Sequence, residues 1–129
     1  MADVFARDVA YELEEVSMRG MLVAPERAVS LPTVVLIHDA FGLSDDMVEI
    51  AEAIAGRGYA VFLADVWGDR MLPHAPTDIG PLIGAMVGNR SEWIARIARA
   101  HAVAAAQPEF DVEALVTIGY FFGGASALE

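Results

Sequence analysis

Thr33-Val34-Val35-Leu36-Ile37 is an unbroken run of apolar and β-branched residues. Without polar alternation, such a run suits a strand covered on both faces, as in the interior of a parallel sheet. It therefore restricts the chain to folds that lay helices on both sides of that strand. The following segments fit. Ser44-Asp45-Asp46 offers N-cap chemistry, with Glu49 as the capping-box partner of Asp46. Met47, Ile50, Ala51 and Ile54 then make one apolar helix face, which Gly56 and Gly58 terminate. Tyr59 to Val66 reads as a second buried strand, and Gly68 to Thr77 as a loop with Pro73 and Pro76. Asp78 to Gly88 reads as a short, Gly-interrupted helix.

Ser91 is expected to cap a longer helix whose inner face carries Ile94, Ile97, Ala98, Ala102 and Ala105. Glu92 and Arg96 on it are spaced for an ion pair. Pro108 stops this helix, and Val112 to Tyr120 forms the last strand. Upstream, Tyr11 to Val16 and Met18 to Ala24 are expected to pair as a hairpin, followed by a loop from Pro25 to Pro32. Strands alternating with helices predict an α/β fold. It is a three-layer sandwich with a mostly parallel sheet and an N-terminal hairpin. At 129 residues it is one domain, residues 1–129.

Composition removes several functions. The formal net charge is -11, and all 8 basic residues are Arg. So acidic a chain repels phosphate backbones, so no nucleic-acid partner is expected. With no Cys, the chain has no disulfide, no thiolate metal ligand and no thiol nucleophile. No N-terminal segment reads as a signal peptide. The longest apolar stretch, Ala114 to Leu128, is short and glycine-interrupted, so no membrane partner is expected and the expected location is cytoplasmic. A receiver-type signalling domain would need a Lys, which is missing. Gly119-Tyr120-Phe121-Phe122-Gly123 is not a dinucleotide fingerprint, and no Gly-Lys pair suggests a P-loop.

The stretch Gly119-Tyr120-Phe121-Phe122-Gly123-Gly124 follows the strand-like Leu115-Val116-Thr117-Ile118, and Ala125-Ser126-Ala127-Leu128 could open a helix after it. Strand, Gly-flanked turn, helix is the setting of a nucleophile elbow. Its third position, where Ser, Cys or Asp would attack, holds Phe121. Ser126 lies on the nascent helix rather than at the turn. A solvated or back-bonded serine is the better reading of it.

Three stretches together carry a family resemblance. They are His38-Asp39-Ala40-Phe41-Gly42, then Gly58-Tyr59-Ala60-Val61 leading to Ala64-Asp65-Val66-Trp67-Gly68, and the Gly119–Gly124 turn. The chain resembles the first half of the dienelactone hydrolase family, a branch of the α/β-hydrolase fold. The similarity covers nearly its whole length. The resemblance implies hydrolysis of ester or enol-lactone bonds, small-molecule ester or lactone substrates and no cofactor. Intact relatives would use a Cys nucleophile, a His base and an Asp orienter.

Carried over by position, Phe121 occupies the nucleophile's place. The N–H groups of Ala40 and Phe122 would form the oxyanion hole, and Gly119, Gly123 and Gly124 would permit the elbow. Asp39 would match the family's acidic loop residue, usually a Glu one methylene longer. Arg70 and Arg90 are candidates for substrate-binding arginines. The resemblance further implies that the domain is cut after the elbow strand, before the family's Asp and His. On that reading the chain is catalytically dead or severely impaired. The alternatives are a non-catalytic ligand-binding or interaction module, and a truncation product without a function of its own. An uncovered sheet edge would then favour self-association.

The remaining candidates have plainer readings. His38 beside Asp39 at a strand end reads as a loop-ordering histidine. His74 reads as solvated, and His101 as a packing group on a helix. Asp39, Asp45, Asp46, Asp65 and Asp69 could be taken for a divalent-metal cluster. Asp45 and Asp46 are better explained as cap residues, and no metal site is assigned.

Overall fold

The computed structural model describes residues 3–27, 29–73 and 75–119. Among them are β1 (Val4–Leu13), β2 (Val16–Pro25), β3 (Leu31–Ile37), α1 (Asp45–Ala55), β4 (Ala60–Ala64), α2 (Pro76–Val87), α3 (Arg90–Ala105) and β5 (Phe110–Gly119). They form one sheet in the order β1-β2-β4-β3-β5. The hairpin is antiparallel throughout, from Val4 opposite Pro25 to Leu13 opposite Val16. β2 joins it to β4, also antiparallel. β3 lies parallel between β4 and β5. The α/β layer architecture, with its parallel strands and N-terminal hairpin, is as the sequence predicts.

β3 lies mid-sheet, and Val34 to Ile37 are all buried. Alternate residues of the sheet feed two cores. On the α3 side, Val35, Ile37, Phe62, Tyr11 and Phe110 pack with Trp67, Trp93 and Ile97. On the α1 side, Val34, Leu36, Val61 and Leu63 pack with Met47, Ala51 and Ala55. Pro32 cannot donate to a ladder, and the β3–β5 register slips between Pro32 and Thr33.

Local details differ from expectation. The hairpin turns at Glu14-Glu15, so the predicted strand Tyr11–Val16 crosses the turn. Glu14 takes φ 54 there, a left-handed value that sequence signals assign to Gly or Asn. α1 starts after Ser44 with no side-chain cap bond, and Asp46 lies inside the helix rather than at its cap. α2 starts at Pro76 instead of Asp78, because Pro suits the first turn and the Asp78 carboxylate accepts the Ala75 N–H at 3.1 Å. The cap of α3 is Asn89, accepting from the Glu92 N–H, and Ser91 is already helical. Its buried face holds Trp93, Ile97, Ala100, Val103 and Ala104. Of the five residues expected there, only Ile97 is among them. Burying Trp93 outweighs burying Ile94 and small alanines, so the helix is rotated to cover the indole. The Glu92–Arg96 pair is formed, at 3.0 Å.

Candidate active site

β3 ends at Ile37, which sits beside Ala64 of β4 and Gly119 of β5. The connection from β3 leads to its neighbour on one side, and the connection from β4 returns to its neighbour on the other. Open α/β sheets form their ligand crevices at such reversals, beyond the carboxyl ends of the strands. Here the loop 38–42 leaves β3 between the loop 65–70 and the end of β5.

His38 is fully buried. The Val66 N–H donates to its Nε2 at 2.9 Å, so its proton sits on Nδ1 and is given to the Asp39 carbonyl at 2.7 Å. Burial pushes the imidazole below its ordinary value, more than the Asp39 carbonyl and the Asp65 and Asp39 carboxylates raise it. His38 is therefore a neutral tie between two strand-end loops, consistent with a loop-ordering role.

The next four residues form a tight turn. The Gly42 N–H donates to the Asp39 carbonyl at 3.0 Å, and the Phe41 N–H to Asp39 Oδ1 at 3.0 Å. The Asp39 carboxylate is thus engaged in its own turn. Trp67 Nε1–H donates to the Ala40 carbonyl at 3.1 Å, and its ring lies tilted against His38 at 5.5 Å. Gly42 has φ +86, and a Cβ there would come within 2.7 Å of the Met71 carbonyl oxygen. Only glycine fits both the conformation and the approach. Among the described residues, no acceptor takes the Ala40 N–H.

The neighbouring loop is built around Asp65. This buried carboxylate accepts from the N–H groups of Arg19, Gly68 and Arg70 at 2.9, 3.1 and 2.7 Å. The Asp65 N–H in turn donates to the Tyr11 hydroxyl at 3.1 Å. Burial pushes the Tyr11 phenol above its ordinary value. Arg96 donates to the carbonyls of Val66 and Trp67 at 2.6 and 3.1 Å. With these anchors, Gly68, Asp69 and Arg70 all hold positive φ, a costly run that persists only when the surroundings over-determine it.

Of the sequence candidates, Asp39, Ala40 and Gly119 are brought to this one end of the sheet. Phe121, Phe122, Gly123, Gly124, Ser126 and His74 lie outside the described residues. Arg70 donates to the carbonyls of Arg19 and Gly20 and pairs with Asp8 at 2.9 Å, so it braces the loop instead of facing a ligand. Arg90 is exposed at the start of α3, away from loop 38–42 in the chain. His101 bridges the Ile97 carbonyl and the Thr117 hydroxyl, joining α3 to β5. The acids do not cluster as a metal site: among the described residues no three His, Asp or Glu side chains converge. Sequence reasoning missed Trp67 and Asp65 as organisers. Their signal was an aromatic with a polar handle and an acid, both at the end of a wholly apolar strand.

Known proteins share this fold. The model of the dienelactone hydrolase family matches residues 18–129. The chain belongs to the dienelactone hydrolase family. The solved structure named m3DLH superposes with a TM-score of 0.92 at 35% identity, over 97% of this chain and 52% of that one. A dienelactone hydrolase-like promiscuous phosphotriesterase, P91, from metagenomic libraries matches with TM-score 0.92 at 32% identity, over 97% and 52%. The dienelactone hydrolase of Anabaena variabilis shares the fold, with TM-score 0.63 at 20% identity, over 97% and 56%. The chain thus spans about half the length of these relatives. No curated protein matches it significantly. Among the described residues, no helix is long and apolar enough to cross a membrane.

Proposed function

We propose that this chain carries the ester-binding end of a dienelactone hydrolase-type site in which the attacking atom is missing. The family activity is hydrolysis of ester or enol-lactone bonds. In this chain the substrate's carbonyl oxygen would meet the N–H of Ala40 and that of Phe122, and Phe121 would stand where a nucleophile is needed. Phenylalanine has no lone pair to attack a carbonyl, so the chain binds such esters without turning them over. The observation that carries the reading is the β3–β5 register. It sets Gly119 beside Ile37, so the Gly-Tyr-Phe-Phe-Gly-Gly stretch continues from the strand next to loop 38–42. The Ala40 N–H, which no acceptor among the described residues takes, and the ties from His38 and Trp67 support a pre-set donor, which side-chain change at Phe121 does not remove.

The test is incubation of the purified chain with p-nitrophenyl acetate. The expected result is nitrophenolate release no faster than the uncatalysed background. Sustained turnover would refute the reading.

A further inference from the structure

We propose that His38 is the positioning residue of the oxyanion donor, acting on the Ala40 N–H through the peptide group that Asp39 and Ala40 share. That group is planar and trans. The Asp39 carbonyl and the Ala40 N–H therefore point in opposite directions from one rigid plate. Whatever fixes the carbonyl aims the N–H. Two donors fix it: the His38 Nδ1–H at 2.7 Å and the Gly42 N–H at 3.0 Å. A carbonyl oxygen has two lone pairs, so both are used. The imidazole is held in turn, because the Val66 N–H donates to Nε2 at 2.9 Å in a fully buried site. That bond sets both the tautomer and the orientation of the ring.

The next peptide plane is held as firmly. Its carbonyl, on Ala40, accepts from Trp67 Nε1–H, and its N–H, on Phe41, donates to Asp39 Oδ1. Ala40 thus sits between two clamped plates. Of the four polar groups on them, the Ala40 N–H alone has no partner among the described residues. The same bonds tune the donor. A carbonyl that accepts two hydrogen bonds draws electron density from its amide nitrogen, which makes the N–H at the other end a stronger donor. As charge builds on an ester oxygen at the Ala40 N–H, this polarisation strengthens the His38 bond. His38 moves no proton and touches no ester; it acts through the Asp39 carbonyl.

The inference rests on the reading that the Ala40 N–H meets the ester oxygen, and the experiment separates the two. The ring nitrogens are replaced one at a time. Asn places an amide N–H where Nδ1–H stands but cannot reach the Val66 N–H. Gln offers Oε1 to the Val66 N–H and leaves the Asp39 carbonyl one donor short. Each is introduced beside Phe121→Cys, in a chain with no other Cys, and acetylation by p-nitrophenyl acetate is followed by intact mass. Removing a whole oxyanion donor costs about 10²–10³-fold. With the Gly42 bond retained, His38→Gln should slow acetylation about tenfold. His38→Asn should restore most of the rate although it loses the Val66 tie. In ¹⁵N-labelled chains that keep Phe121, with no ester present, the Ala40 amide should shift in His38→Gln and keep its place in His38→Asn. Equal slowing by both variants would mark a purely structural histidine and overturn the inference. An unmoved Ala40 amide or an unslowed rate in His38→Gln would overturn it too. If Phe121→Cys is itself acetylated no faster than Val29→Cys, the carbonyl-site reading fails and the inference with it, whatever the amide shows.

Discussion

Acidification should loosen the loop that His38 holds. In the folded chain the imidazole Nε2 is an acceptor for the Val66 N–H at 2.9 Å, and Nδ1–H is already given to the Asp39 carbonyl. A second proton would turn Nε2 into a donor facing a donor, in a fully buried site. The folded value is thus below the ordinary 6.5, while the unfolded chain titrates near it. From 6.5 downward the unfolded state binds a proton that the folded state refuses. Stability from this group is therefore complete above that pH and falls as pH drops, until the folded value is reached. One proton of difference corresponds to about 1 kcal/mol per pH unit across that window.

Glu109 acts lower. The Arg7 hydrogen bond holds its carboxyl below the ordinary 4.5, so its contribution is lost only beneath that value. The assay is urea unfolding followed by far-ultraviolet circular dichroism at about pH 7.5 and about pH 5.5, on the native chain and on His38→Gln. Gln offers Oε1 to the Val66 N–H but does not titrate, and every other histidine remains in both proteins. The stability lost between the two pH values should be smaller by about 1 kcal/mol in His38→Gln. Identical losses would refute the buried, neutral histidine.

Two further outcomes are expected. Gly42→Ala should cost about 2 kcal/mol or more in the same unfolding assay, from the positive φ and the collision with the Met71 carbonyl; an unchanged midpoint would show that the 39–42 turn has another shape. β5 is the outer strand among the described residues, and its Val116 and Ile118 are exposed. An apolar outer strand invites pairing with a second copy. Sedimentation velocity should show concentration-dependent association that Val116→Lys weakens, and a monodisperse monomer would contradict it.

The parts of the fold legible in the sequence were those with strong, redundant patterns. Thr33 to Ile37 is an unbroken run of apolar and β-branched residues, and it became the buried middle strand. Met47 and Ala51 fell on the buried face of α1 as their spacing requires. α3 was harder because alanine carries little hydrophobic signal, so several faces looked alike until Trp93 had to be covered. The hairpin turn was hidden because Glu14 accepts a left-handed φ without Gly or Asn to announce it. At the site, the motif residues Asp39, Ala40 and Gly119 fall together at one end of the sheet. What holds that end together was not legible. Asp65 falls inside the strand read from Tyr59 to Val66, and only the fold brings the Arg19 N–H, distant in sequence, to its carboxylate. Arg70 looked like a ligand-binding cation for the same reason: its partners Asp8, Arg19 and Gly20 come from the hairpin.

The most direct test of the account is acylation of an introduced thiol. The chain has no Cys and no Lys, so one new cysteine is its only strong nucleophile. Phe121→Cys is compared with Val29→Cys, a position 72% exposed, by the rate of acetyl adduct formation from p-nitrophenyl acetate in intact-mass spectra. If position 121 faces a pre-set oxyanion donor, its thiol should be acetylated about a hundredfold faster than the surface thiol. Equal rates for the two variants would contradict the claim that a nucleophile's place, with a main-chain donor beside it, lies next to loop 38–42.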